Sequence, residues 1–141
     1  MGTLNTRFSI RSSNTFRNQI SQRHDRTIAI ENIIDSALRV IKNTTSGSPH
    51  TLIEGSAYYD SSESGDVANQ VMVFIRNTST MNNKTITVQF NKNGTRDDVI
   101  LLNAGEYAIF PWKCDAATDD IEVFSNDASG VKVEFLVAPM R

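Results

Sequence analysis

The chain has 141 residues, of which 39% are apolar and 21% charged, and its formal net charge is −2. That length suits one domain, with at most an appendage, and leaves no room for two full cores. No apolar run reaches the roughly 18 residues of a membrane-spanning helix, and a single cysteine, Cys114, excludes an internal disulfide framework or a multi-cysteine zinc site. No apolar stretch follows the N-terminal methionine, so no classical secretory signal is read. Ser, Thr and Asn supply 40 residues against three prolines and seven glycines. Those polar residues favour turns, and Thr tolerates strands, so the composition points to an all-β domain with polar turns rather than a helical bundle.

Residues 1–26 carry five arginines and one acid, a net of +4, whereas residues 27–141 carry nine basic and fifteen acidic residues, a net of −6. A basic N-terminal segment therefore precedes an acidic body. Leu4, Phe8, Ile10, Phe16 and Ile20 are the large apolar residues of that segment, at spacings of 4, 2, 6 and 4. These match neither a helical stripe nor strict alternation. The segment is expected to be an extended basic arm, unable to build its own core and ordered by lying on another molecule. A frayed terminus without a role is the competing reading. Arg7, Phe8, Ile10, Arg11, Phe16, Arg17 and Ile20 are its expected partner-binding residues, the apolar ones filling pockets and the arginines pairing with carboxylates.

Ile30, Ile33, Ile34, Ala37, Leu38 and Ile41 recur at i, i+3, i+4, i+7, i+8 and i+11, one face of a helix. The spacing predicts a short helix over about 30–42, within a helical or mixed lead-in at 27–45. Two short strands compete with it, because Thr27–Ile30 and Leu38–Lys42 partly alternate and β-branched residues weaken a helix.

From residue 50 onward the signal is β. His50–Tyr59, Gln70–Asn77, Lys84–Asn91, Asp98–Asn103, Glu106–Trp112, Ile121–Phe124 and Val131–Val137 read as strands separated by polar turns. Ile86, Val88 and Phe90 alternate with Thr85, Thr87 and Gln89, as in a half-buried strand. Asn93-Gly94 signals a tight turn, and Pro111 belongs at a strand end or edge because it cannot donate to a ladder. Seven or eight short strands without a βαβ order predict a β-sandwich, of jelly-roll or Ig-like type, over residues 27–141.

Catalytic signals are sparse. Cys114 pairs on paper with His24 or His50, but neither histidine lies in a motif, and an inert buried thiol is the plainer reading. No G-x-S-x-G or phosphate-binding glycine loop occurs. The run from Asp60 to Asp66 loosely resembles a calcium loop, yet its twelfth position is Val71 rather than Glu. Asp97 with Asp98, and Asp115 with Asp119 and Asp120, read as solvated turns. No enzymatic activity, cofactor or metal is expected. Tyr107 and Trp112 are candidate surface or packing aromatics, either an exposed sugar platform or core and intersubunit packing. The thinly spread arginines favour an acidic protein partner over nucleic acid.

VMVFIRNTST, KTITVQF, ILLNAGEYAIFPW and IEVFSNDASGVKVEFLVAP form a pattern that resembles small β-sandwich virion proteins of tailed bacteriophages. In that pattern a strand ends in N-T-S, a Thr-rich strand follows, an A-G-E turn precedes a strand closing in P-W, and a V-x-V-E-F strand comes last. The match spans about residues 70–139. It implies a structural protein of the virion, favoured at the capsid surface and made in the host cytoplasm. The implied role is a decoration or cement protein bound to the major capsid protein or other virion proteins. A homo-oligomer, a trimer among the options, belongs to the same implication, with no nucleic acid and no membrane. A tail adaptor, fibre or baseplate component is the alternative, and a carbohydrate- or host-surface-binding module is a further one.

Overall fold

The computed structural model describes residues 2–11, 21–30, 35–42, 44–65 and 68–140. Among them are ten strands: β1 (Gly2–Arg11), β2 (Ser21–Ile30), β3 (Asp35–Ile41), β4 (His50–Ile53), β5 (Gln70–Asn77), β6 (Ile86–Lys92), β7 (Thr95–Leu102), β8 (Tyr107–Lys113), β9 (Asp120–Ser125) and β10 (Val131–Pro139). A single 3-10 turn, Gly55–Ala57, follows β4.

β3 to β10 form two four-stranded antiparallel sheets, ordered β3-β10-β5-β8 and β4-β9-β6-β7. The pairs β3·β10, β4·β9, β5·β8 and β6·β7 are nested one inside the next along the chain. Every connection except β6–β7 crosses from one sheet to the other. That nesting is the wiring of a jelly roll, and it decides between the two sandwich types that the sequence left open. The exceptional hairpin turns on Asn93 and Gly94, at φ 51° and 88°. Both values lie in the left-handed region that a two-residue turn needs and that Asn-Gly adopts at little cost.

Strand alternation builds the core. Val131, Val133, Phe135 and Val137 of β10 are all buried, as are Val71, Val73 and Ile75 of β5, and they meet Ile86, Val88, Ile121 and Val123 of the second sheet. Phe90 and Phe110 bring the sheets together with ring centroids 5.6 Å apart. The glycine of the 3-10 turn is required by packing: a Cβ on Gly55 would stand 1.9 Å from the carbonyl oxygen of Asp119. Pro111 lies in β8, an edge strand, where its missing N–H leaves no gap in the sheet interior.

Two expectations change. Residues 35–41 form β3, not part of a helix, and β2 ends at Ile30, so among the described residues no single element carries the apolar stripe, of which Ile33 and Ile34 lie outside them. The physical reason is β10, whose long apolar strand gains a second partner in β3, in unbroken register from Val131↔Ile41 to Val137↔Asp35. Tertiary pairing here overrides a local spacing. The basic segment is likewise not a bare extended arm. β1 and β2 pair antiparallel over ten residues each, from Gly2↔Ile30 to Arg11↔Ser21, as a two-stranded sheet separate from the sandwich. The expected boundary after residue 26 therefore falls inside β2.

Candidate functional site

The β1–β2 hairpin is built from residues whose types differ by position. By register, Leu4 stands opposite Ile28, Phe8 opposite His24 and Ile10 opposite Gln22, whereas Arg7 stands opposite Asp25 and Arg11 opposite Ser21. Cross-strand partners share a face of the ribbon. By register one face carries Leu4, Phe8, Ile10, Ile28 and Ile30 together with Thr6, Gln22, His24 and Arg26, and the other carries Arg7, Arg11, Arg23 and Asp25. The expected binding residues Phe8 and Ile10 consequently fall on the face opposite Arg7 and Arg11. Arg7 also has a partner within the hairpin: its Nε donates to Asp25 Oδ1 at 3.1 Å, an exposed ion pair of small worth. Phe16, Arg17 and Ile20 lie outside the described residues.

Ten residues per strand give a ribbon about 33 Å long. A two-stranded ribbon is marginally stable by itself in water, because two strands alone enclose no core. The hairpin thus joins a strand face rich in large apolar residues, interrupted by His24 and Arg26, to a face with Arg7, Arg11 and Arg23.

Tyr107 and Trp112 do not form one platform. Trp112 is 8% exposed and belongs to the core, while Tyr107 is 57% exposed on the opposite face of β8, with its ring 6.0 Å from that of Phe74. The five-residue separation sets them on opposite sides of a strand, a consequence of period-two alternation.

The outer face of the β3-β10-β5-β8 sheet is more apolar than the sequence reading anticipated. Leu38, Val40, Tyr107 and Ile109 are exposed on it, with Phe74 and Leu136 half-buried between them. A groove of about 580 Å³ runs past Ser36, Leu38, Phe74, Glu134 and Leu136. The signal was present in the unbroken apolar runs VMVFI and FLVAP, which leave no polar face to a strand.

Several other charged and polar groups brace the sandwich. Arg96 binds Glu122 through Nε to Oε2 at 2.6 Å and Nη2 to Oε1 at 3.2 Å, and Asn91 Nδ2 donates to the same carboxylate at 3.1 Å. Lys92 Nζ donates to Asp115 at 3.0 Å, which holds the Asp115 carboxyl below its ordinary range. Asp119 accepts from the Asp115 N–H at 3.2 Å and Asp120 from the Gly55 N–H at 2.9 Å. Asp60 accepts from the N–H and hydroxyl of Ser62, which lower its pKa. Gln89 Nε2 donates to Asp98 at 2.6 Å. Among the described residues no three His, Cys, Asp or Glu side chains converge as a metal site. Cys114 is fully buried, its sulfur facing the carbonyls of Ala116, Gly55 and Asp119, and burial pushes its thiol up to about 11. At neutral pH it is a protonated thiol, the unreactive form.

No protein-family model, curated protein or solved structure matches the chain.

Proposed function

We propose that the chain is a non-enzymatic structural protein of a tailed-phage virion, a capsid decoration protein whose basic hairpin fastens an acidic jelly roll to neighbouring shell subunits. The observation that carries this reading is the hairpin itself, a long two-stranded ribbon outside both sheets of the sandwich, with its large apolar residues on one face by register. Such a ribbon gains stability by laying its apolar face on another protein. The arginines opposite would meet carboxylates at the rim of that contact, where they add orientation and encounter rate. Repetition over a symmetric shell adds avidity to a modest single contact. The strand-and-turn pattern of residues 70–139 supports the virion assignment, and the jelly roll is an architecture that viral capsid domains use. Because the fold alone does not fix a role, the hairpin carries the argument.

The sandwich holds its own core, so truncation separates the two parts. A chain beginning at residue 35 should fold with native circular dichroism and lose saturable binding to capsids of its phage. Equal capsid binding by the truncated and full-length chains would overturn the fastening role. Antibody labelling of intact virions distinguishes a head position from the tail.

A further inference from the structure

We propose that β3 is the docking edge for a second copy of this chain, the two β3 strands pairing antiparallel about a twofold axis at Leu38. The two four-stranded sheets would join into one sheet of eight. This goes beyond the virion reading and stands apart from the hairpin.

The sandwich has four edge strands: β3, β8, β4 and β7. Exposed edges invite pairing with another chain, and proteins guard them with prolines, charges, bulges or short length. Three of these edges are guarded. β8 contains Pro111, which offers no N–H. β7 carries Arg96, Asp97 and Asp98, and its register with β6 shifts opposite Val88 and Gln89. β4 is four residues long, with an irregularity between Thr51 and Ile53. β3 carries two charges, Asp35 and Arg39, opposite in sign and on the strand face away from Leu38 and Val40, but none of the other devices. It is seven residues of regular strand without proline, bulge or register shift. On its outer side Leu38 and Val40 are 62% and 49% exposed.

The sequence of β3 also suits its own copy. Leu38 is the midpoint of Asp35–Ile41, so pairing about it uses the whole strand. Leu38 then faces Leu38 of the second copy, Val40 faces Ser36, Arg39 faces Ala37 and Ile41 faces Asp35. No like charges stand opposite one another, and each larger residue away from the axis meets a smaller or polar one. Arg39 keeps its place over the Phe135 ring, 5.3 Å from the centroid, and the small Ala37 of the other copy leaves it room. The contact is isologous and closes at two chains.

The test uses purified full-length protein without capsids, so its outcome is independent of the virion reading. Sedimentation over rising concentration should show a monomer–dimer equilibrium with a dissociation constant of about micromolar order, as suits a contact smaller than a standard interface. Val40→Lys and Leu38→Lys place charge on an already exposed edge. Each should keep the native circular dichroism and weaken the dimer at least about tenfold. Leu38→Cys should give a disulfide-linked dimer on mild oxidation, and amides of residues 36–40 should exchange more slowly as concentration rises. A chain that stays monomeric throughout would overturn the proposal. So would a trimer, or a dimer that folded Val40→Lys leaves unchanged. If one lysine variant unfolds, the other and the exchange measurement still decide.

Discussion

Asn77 in β5 donates from Nδ2 to the carbonyl oxygen of Leu102 in β7 at 3.1 Å, a hydrogen bond that ties one sheet to the other. The same Nδ2 reaches the Lys84 carbonyl at 2.9 Å, and Oδ1 accepts from the Ser79 N–H at 3.0 Å. Its backbone closes the turn before β8, accepting from the Gly105 N–H and donating to the Glu106 carbonyl, both at 2.9 Å. Asn77 is fully buried. The N-T-S turn that the sequence displays is thus a hub where β5, β6, β7 and β8 meet.

Asn77→Ala leaves two carbonyls short of a donor and should lower stability by about 2–3 kcal/mol. Asn77→Asp adds a carboxylate facing those carbonyls and should cost more. Urea denaturation checks both, with Thr78→Ala expected to stay within about 1 kcal/mol.

Trp112 is the only tryptophan, so its fluorescence reports one site. Burial in the sandwich predicts blue-shifted emission and little acrylamide quenching until the chain unfolds. Trp112→Ala empties a core position and should cost about 3–5 kcal/mol. Tyr107→Ala, on the outer face, should change stability by about 1 kcal/mol or less. A red-shifted, readily quenched emission in the native state would contradict the placement.

Cys114 should resist thiol reagents at neutral pH and react fully in denaturant. Its folded pKa of about 11 lies above the ordinary 9.0. The folded state therefore holds that proton more tightly, and the associated stability is complete below about pH 9. It declines as pH rises towards 11, by a total of about 2–3 kcal/mol. Cys114→Ala should show a shallower loss of stability over that range. Identical alkaline slopes for the two proteins would contradict the burial of the thiol.

Much of the sandwich was legible because its strands satisfy two signals at once. Gln70–Asn77 is found with the bounds that the sequence suggested, and Val131–Val137 differs only by extending to Pro139. Both are dense in β-branched residues and end at Asn, Gly or Pro. The stripe at 30–41 misled because Ile30 of one strand and Ala37, Leu38 and Ile41 of another fell at helical spacing by coincidence. Only the partner strand β10 reveals which period the chain uses. In the N-terminal segment the spacings 4, 2, 6 and 4 are all even, so Leu4, Phe8 and Ile10 keep one parity along a strand. The polar Thr6 between them hid the alternation. The pairing with β2 was hidden too, since that strand mixes His24, Asp25 and arginines with its isoleucines. Whether Trp112 faces core or solvent was open, because a position beside Pro111 permits both. The strand phase settles it.

The central claim is that residues 2–30 acquire a protein partner on the assembled particle. Amide hydrogen exchange on the free protein and on particles carrying it tests this directly. Fast exchange is expected for β1 and β2 in the free chain and strong protection on the particle, with sandwich amides protected in both. Equal exchange of β1 and β2 in the two states, with the protein demonstrably bound, would contradict it.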